Sequence, residues 1–478
     1  MSTEYDAVVV GSGPNGLAAA ITLARAGCKV LILEAKDTIG GGMRSLELTL
    51  PGFLHDMCSS VHPLGVASPF FCTLPLEQFG LEWVYPDAEL THPLDNGTAV
   101  TVWRSIQRTS EQFGSDGEAY RRLMTPLVEQ HGKILDEFLG PLRMPHHPLA
   151  MAHFGVLALN PAYSLAKRTF HQPEAQALFG GMAAHSIMPL KQITTAAFGL
   201  MLAMLAHAVG WPLARGGSQR IGQALAAYFC SLGGEIVTGH LVKTLDDIPP
   251  ARATLFDVTP RQLLSIAGER LPTGYRRKLE HYRYGPGVYK VDYALSQSIP
   301  WQAKDCLRSA TVHLGGTLDE IALSEGQVWQ GEHQERPYVI VVQPTLFDAS
   351  RAPSGKHIAW AYCHVPNGST VDMSEKIEAQ IERFAPGFRD CAITRSTHHT
   401  MQMEAYNPNY VGGDINGGVQ DLRQLFTRPV TRAVPYSTPV PGLFICSSST
   451  PPGGGVHGMC GYYAALATLA STLRKIAI

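Results

Sequence analysis

Charge is scarce in this chain: of 478 residues only 16% are charged, with 38 Lys and Arg against 40 Asp and Glu and a net charge of −2. The densest basic cluster is Arg276-Arg277-Lys278, which reads as a solvated helix face. Nucleic acid, a polyanion that selects for basic stripes, is therefore excluded as an expected partner. The nine cysteines are scattered with no C-x-x-C, which argues against a disulfide framework and for reduced, intracellular thiols. No metal is assigned. A membrane span is missing too, because it needs about 20 apolar residues and the most apolar stretch, 194–210, is shorter and interrupted by His207. Residues 7–33 have the hydrophobicity of a signal peptide, but Glu4 and Asp6 precede them where a cation belongs.

What the chain has in quantity is glycine, 47 residues, and near the N-terminus its placement is specific. Ala7 to Val10 form a short apolar run, as a strand buried on both faces requires. Gly11-Ser12-Gly13-Pro14-Asn15-Gly16 follows, then Leu17 to Ala26 as a helix of small residues, then Lys29 to Leu33 as a second buried strand ending on Glu34. Gly11 allows the tight turn, Gly13 lets backbone approach a pyrophosphate, and Gly16 lets the helix pack on the strand. The free N–H groups at the helix start receive the anion. Glu34, 18 residues beyond Gly16, stands where a carboxylate accepts from a ribose diol. Gly11, Gly13, Pro14, Asn15, Gly16, Glu34 and Ala35 are thus candidate cofactor residues of an α/β, Rossmann-like domain.

Gly40-Gly41-Gly42-Met43-Arg44 continues the pattern: the glycines let the chain pass close under a flat ring system, and Arg44 is placed to bridge to phosphate. Glu34 followed by this Gly-Gly-x-x-Arg element resembles the FAD-binding start of the glutathione-reductase-type flavoproteins. Within that group GSGPNGLAAA, LELTLPGFLHD and VHPL resemble the phytoene desaturase and carotenoid isomerase superfamily. The likeness is greatest to bacterial proteins of the pyridine nucleotide-disulphide oxidoreductase domain 2 kind. The resemblance implies FAD, with Gly41, Gly42, Met43 and Arg44 beside it. It also implies a second Gly-Gly element at Gly216-Gly217 and a strand pair cupping the adenosine end, where Val237 or Val242 meets adenine. The paired redox cysteines of disulphide reductases are absent, so disulphide chemistry is not expected.

The chain divides into FAD-binding segments at 1–75, 214–275 and 422–478, enclosing a mostly helical substrate segment at 76–213 and an antiparallel-sheet segment at 276–421. In the first insertion, Glu118 to Leu139 reads as an amphipathic helix and 194–210 as a buried helix or the wall of a greasy tunnel. In the middle nucleotide segment, Glu235 to Val237, Leu241 to Leu245 and Ala253 to Val258 read as strands. In the second insertion, Val288 to Leu295, Tyr338 to Val342 and His357 to His364 alternate as half-buried strands and would floor the substrate cavity. His55 and His62 are expected to return towards the cofactor. The resemblance places the loop Glu404 to Asp414 against the flavin from the substrate side, making Tyr406, Asn409 and Asp414 candidates. Gly453, Gly455 and Gly458 repeat G-x-G-x-x-G, but twenty residues remain, too few for another strand and its acid. They resemble the family's closing FAD motif, with Gly455, Val456 and His457 at the flavin and a helix N-terminus favouring negative charge there.

The expected function is an FAD-dependent oxidoreductase acting on an apolar polyene- or isoprenoid-like substrate by desaturation, saturation or redox-assisted isomerisation. Hydride would exchange with flavin N5, and His457, Tyr406 or Asp414 would act in catalysis. A flavin amine oxidase-like enzyme and a catalytically quiet FAD-containing binding protein are the alternatives. Both insertions read as substrate domain, which leaves no second nucleotide domain for NAD(P)H. The expected acceptor is therefore oxygen or a quinone, and the expected location is cytoplasmic with peripheral contact to the inner membrane face.

Overall fold

In the computed structural model, which describes residues 4–425 and 427–474, the first apolar run pairs as a strand, Tyr5–Val10. It sits at the centre of a five-stranded sheet in the order Leu443–Ile445, Ala251–Phe256, Tyr5–Val10, Val30–Leu33, Glu235–Val237. All four pairings are parallel, with Ala7 opposite both Val30 and Ala253. Strand alternation divides the side chains between two cores. Ala7, Val9, Val30 and Ile32 face the opening helix Pro14–Arg25, whereas Val8, Val10, Leu31 and Leu33 join Phe256, Leu263 and Leu279 on the other face. Burial on both faces is why these strands read as unbroken apolar runs, each buried Val or Leu contributing roughly 1.5–3 kcal/mol.

A second, seven-stranded sheet runs Ala392–His398, Gly287–Leu295, His357–Val365, Val339–Val342, Ser309–Leu314, Ala88–Pro93, Ala99–Val102. Its pairings are antiparallel except that Ser309–Leu314 lies parallel to Ala88–Pro93. The first insertion is thus not only helical: it supplies the last two strands, Ala99–Val102 at the edge, to the sheet of the second. Its helices Pro173–Ala184 and Thr195–Ala208 are buried, the latter being the 194–210 run.

Two elements differ from their sequence patterns. Glu118 to Leu139 forms two helices, Gly117–Glu129 and His131–Phe138, separated at Gln130, whose φ of −107° leaves the helical region. Pro126 weakens the last turns of the first by removing a donor. Leu241 to Leu245 pairs with no strand. Gly239, at φ 68°, turns the chain over the sheet end, His240 N–H donates to the Glu34 carbonyl, and a Thr244/Asp247 capping box closes the segment.

Candidate functional site

Gly11 takes a φ of 104°, open to glycine and strained for other residues. Its turn ends the first strand and starts the helix Pro14–Arg25, with Pro14 at the first helical position. A Cβ on Gly16 would collide with the Gly11 carbonyl oxygen, so Gly16 seats the helix against the turn as its spacing implied. The closing helix Met459–Thr468 packs on the opening one just as closely, since a Cβ on Gly461 would overlap the Asn15 carbonyl.

Gly11 borders a cavity of about 400 Å³. Gly11, Gly13, Pro14, Asn15, Glu34, Ala35, Gly41, Gly42, Met43, Arg44, Val242, Gly455 and Val456 all line it, whereas Gly16, Val237 and His457 do not. The second sheet closes the other side through Thr311, Ile340, Val342, Trp360 and Tyr362, as its position in the chain led us to expect. Leu202 contributes from the apolar helix, and His185, Ile187 and Trp211 complete that side.

Glu34 is held ready. Its carboxylate accepts from Ser12 through both N–H (3.0 Å) and hydroxyl, from Lys36 N–H (2.9 Å) and from Arg44 Nη2 (2.9 Å). Arg44 differs from its expected part as a phosphate bridge. Its guanidinium is spent on Glu34 and on the Thr38 and Gly41 carbonyls, because a buried carboxylate without a counter-charge would be costly. Val242 reaches the cavity without belonging to a strand.

The structure separates the three proposed catalytic groups. Tyr406 lines the cavity and donates to the Gly41 carbonyl at 2.9 Å, and burial pushes its hydroxyl up to about 12. Asp414 is outside the lining: its two oxygens accept from the N–H groups of Gly285, Asn416 and Gly418, so it shapes the glycine loop. His457 also lies outside. Its Nδ1 accepts from Met459 N–H at 3.0 Å, capping the closing helix, and burial pushes it down to about 4, so it stays neutral. Asn409 does line the cavity, tying the 404–414 loop to the nucleotide domain by accepting from Thr259 N–H and Gln262 and donating to the Asp257 carbonyl.

His62 reaches the cavity, its Nε2 2.8 Å from Ser218 Oγ. His55 does not; it is fully buried against Thr49 Oγ1 (2.8 Å) and Asp292, and burial pushes it down to about 3. Behind Trp360 runs a polar chain in which Trp360 Nε1 donates to Ser60 Oγ (2.7 Å) and Ser60 to Asp56 (2.6 Å). Asp56 pairs with Arg351 at 3.0 Å, and against the effect of burial Arg351 and the hydroxyl donors hold it down at about 2. Among the described residues, one cluster has metal-ligand spacing, Asp136, Glu137 and His146, and Arg143 already pairs with both carboxylates.

Sequence reading missed Asp257. It ends the strand Ala251–Phe256 as Glu34 ends its own, lines the cavity, and accepts from Gly16 N–H at 2.9 Å. Burial, then the nearby Glu34 charge, push it up to about 7 against the pull of the Gly16 and Gly13 N–H groups. A strand-terminal acid at the edge of a parallel sheet was the available signal.

Comparison with known proteins agrees with this architecture. Residues 9–69 match the NAD(P)-binding Rossmann-like domain model. The chain is 27% identical to pyridine nucleotide-disulfide oxidoreductase domain-containing protein 2 of Mus musculus, over 97% of this chain and 93% of the relative. It is 23% identical to one of the subunits of limonene dehydrogenase from Castellaniella defragrans, over 97% and 94%. Phytoene dehydrogenase of Streptomyces griseus is 25% identical over 75% and 73%. Putrescine oxidase shares the fold, with a TM-score of 0.63 at 19% identity over 98% and 99%. The chain is thus a homologue of pyridine nucleotide-disulfide oxidoreductase domain-containing protein 2 and of phytoene dehydrogenase, an oxidoreductase of the dinucleotide-binding Rossmann-like type.

Proposed function

We propose that the chain is an FAD-dependent oxidoreductase that desaturates, saturates or isomerises an apolar, isoprenoid-like substrate. The observation that carries this reading is the continuity of one cavity from the glycine turn to an apolar wall of Leu202, Trp211, Ile340 and Val342. The name of the relative from Castellaniella defragrans, a limonene dehydrogenase subunit, supports a terpenoid as the substrate class. The residues fit the cofactor. The Gly11–Gly16 turn leaves no side chain where a pyrophosphate would lie, and the buried Asn15 Oδ1 and His62 Nδ1 on the lining have no protein partner. The helix start would hold the pyrophosphate, Glu34 a ribose, Val242 the adenine side, and Gly41 to Arg44 with Gly455 and Val456 the ring system. When bound, FAD supplies hydride exchange at N5. The chain's own part is to hold the substrate against Trp360 and Tyr362, exclude water with the apolar wall, and position Tyr406, whose hydroxyl is protonated at neutral pH.

Amine oxidation is the second reading. The stacked Trp360 and Tyr362 rings, 5.6 Å apart at 22°, favour it, with Lys290 Nζ 5.6 Å from the Trp360 ring. Anaerobic mixing with isoprenoid polyenes and with amines, followed by flavin absorbance, separates the two: bleaching by amines alone refutes the first. Oxygen or a quinone is the proposed acceptor. Rapid anaerobic bleaching by NADH or NADPH, saturating in coenzyme, would refute that.

A cytoplasmic enzyme docking peripherally on an anionic bilayer is the proposed setting. No helix among the described residues is long and apolar enough to cross a membrane. However, Leu142, Met144, Leu149 and Val156 are 76%, 87%, 86% and 73% exposed on and before the helix Pro148–Ala158. Between Glu137 and Glu174 there is no acid, and although Arg143 pairs with Asp136 and Glu137 and Lys167 with Asp319, Arg168 joins no ion pair among the described residues and can meet a negative headgroup. The protein should float with phosphatidylglycerol vesicles and Leu149→Asp/Val156→Asp should not. A protein that stays at the bottom of the gradient, or dimerises through this face, contradicts the docking.

A further inference from the structure

The cavity wall opposite the glycine turn is largely apolar, with polar groups on His185, Thr311 and Tyr362. His185 follows the helix Pro173–Ala184, and its ring packs edge-on to Trp211, centroids 6.0 Å apart. Its Nε2 lies 2.9 Å from Nε2 of His313, on the strand Ser309–Leu314 that also carries Thr311. Thr311 and His313, two positions apart, share one face of that strand. The absence of a side chain at Gly181 makes room for the His313 ring, for a Cβ there would lie 2.8 Å from Nδ1.

Two facing Nε2 atoms at hydrogen-bond distance require one donor and one acceptor, because burial keeps both rings neutral: His185 is pushed down to about 3 and His313 well below its ordinary value. The tautomers follow from the remaining nitrogens. Nδ1 of His313 is buried with no partner. If His185 donated to His313, that Nδ1 would be an orphaned buried N–H, the costlier defect. If His313 donates, its Nδ1 is a bare lone pair, and His185 carries its proton on Nδ1. No hydrogen bond within the described residues engages Nδ1 of His185, on a ring that lines the cavity. Thr311 also lines the cavity, and its hydroxyl is buried without a partner.

We infer that His185, oriented by His313, and Thr311 form a polar subsite for a hydrogen-bond-accepting oxygen at one end of an otherwise apolar substrate. The ligand class is an isoprenoid alcohol, aldehyde or ketone rather than a plain hydrocarbon. This rests on the proposed apolar-substrate reading. On a wall shared with Ile187, Leu202 and Trp211, an N–H and a buried hydroxyl are paired by a ligand oxygen, whereas a hydrocarbon leaves them unpaired. His185 is in this sense a specificity residue and His313 a positioning residue.

The test uses the purified holoprotein with three probes of one carbon skeleton, farnesene, farnesol and farnesal, titrated by tryptophan fluorescence, since Trp211 and Trp360 line the cavity. Farnesal and farnesol should bind about tenfold more tightly than farnesene, the worth of one to two hydrogen bonds. His185→Phe should bring the three affinities together, mainly by weakening the oxygenated probes, and His185→Gln, which keeps an N–H, should restore part of the preference. Thr311→Val, a near-isosteric change on the strand, should lower the preference on its own and serves should His185→Phe not fold. Equal binding by the unaltered protein, or a preference untouched by both substitutions, overturns the subsite and leaves the apolar reading standing. Failure of all three probes to bind overturns the apolar reading, and the subsite with it.

Discussion

The nucleotide side of the cavity draws Gly11 to Asn15, Glu34 to Lys36 and Gly41 to Arg44 from residues 11–44, whereas the substrate side draws His185, Leu202, Trp211, Thr311, Ile340 and Tyr362 from both insertions. On the first side the useful atoms are largely backbone N–H groups exposed by glycine, with one carboxylate clamped by Ser12, Lys36 and Arg44. On the second they are side chains whose worth depends on what stands behind them. A ligand of constant chemistry suits the first construction, since backbone donors tolerate drift in the surrounding sequence. The second can be retuned for a new substrate by single side-chain changes without disturbing the cofactor.

Gly13→Val should have the largest effect, and on the nucleotide side alone. A Cβ there lies 2.7 Å from Asp257 Oδ2, and the rest of the side chain fills the pyrophosphate's place. The expected outcome is a folded protein by circular dichroism with no visible flavin absorbance. A yellow variant would show that the turn does not hold the cofactor.

Acid should break both sides at once. Burial pushes His62, His92, His207 and His457 down to about 4 and His55 and His185 to about 3. The folded chain then binds fewer protons than the unfolded one below pH ~6.5, so this stability is complete above that value and is lost as pH falls towards 4, by roughly 3 kcal/mol per fully buried ring. Urea midpoints should drop steeply between pH 6.5 and 4, and a flat profile over that range would contradict the buried neutral rings.

Arg44→Met sharpens the comparison by leaving the glycines intact and removing only the clamp. It strands the buried Glu34 carboxylate and should cost about 3–5 kcal/mol in urea unfolding. If the loss is below about 1 kcal/mol, the ion pair is worth no more than a surface one.

Asp257→Asn should show the smallest effect, visible as a pH-dependent difference. The folded-state pKa of Asp257 is raised to about 7, so the folded chain binds the extra proton between pH ~4 and 7. Stability of the unaltered protein relative to the Asn variant should fall by roughly 2–4 kcal/mol as pH rises through that window. A constant difference between pH 4.5 and 8 would mean that the carboxylate is ionised throughout.

The residues that line the cavity around the glycine turn were legible because each rests on a local rule: a glycine where φ is positive or backbones touch, an acid at a strand end, a helix start after a turn. Val242 was legible in position but not in conformation, since Gly239 turns its segment away from strand pairing. The catalytic candidates were less so. Asp414 and His457 have the residue types of acid–base groups, yet both serve backbone N–H groups, Asp414 those of Gly285 and Gly418 and His457 that of Met459, a use that sequence spacing does not distinguish from chemistry.

By itself the sequence determined the parallel βαβ unit, the helix-on-glycine packing at Gly16 and the carboxylate of Glu34, because interactions within a few tens of residues follow from backbone geometry and apolar period. Only the tertiary structure decided that Arg44 pairs with Glu34 instead of facing a phosphate, that Asp257 closes the turn from 241 positions beyond Gly16, and that His185 meets His313 across 128 positions. Those pairings depend on the register of two sheets and on which buried polar group lacks a partner, and burial, which sets the charge and tautomer of each, exists only once the whole chain has folded.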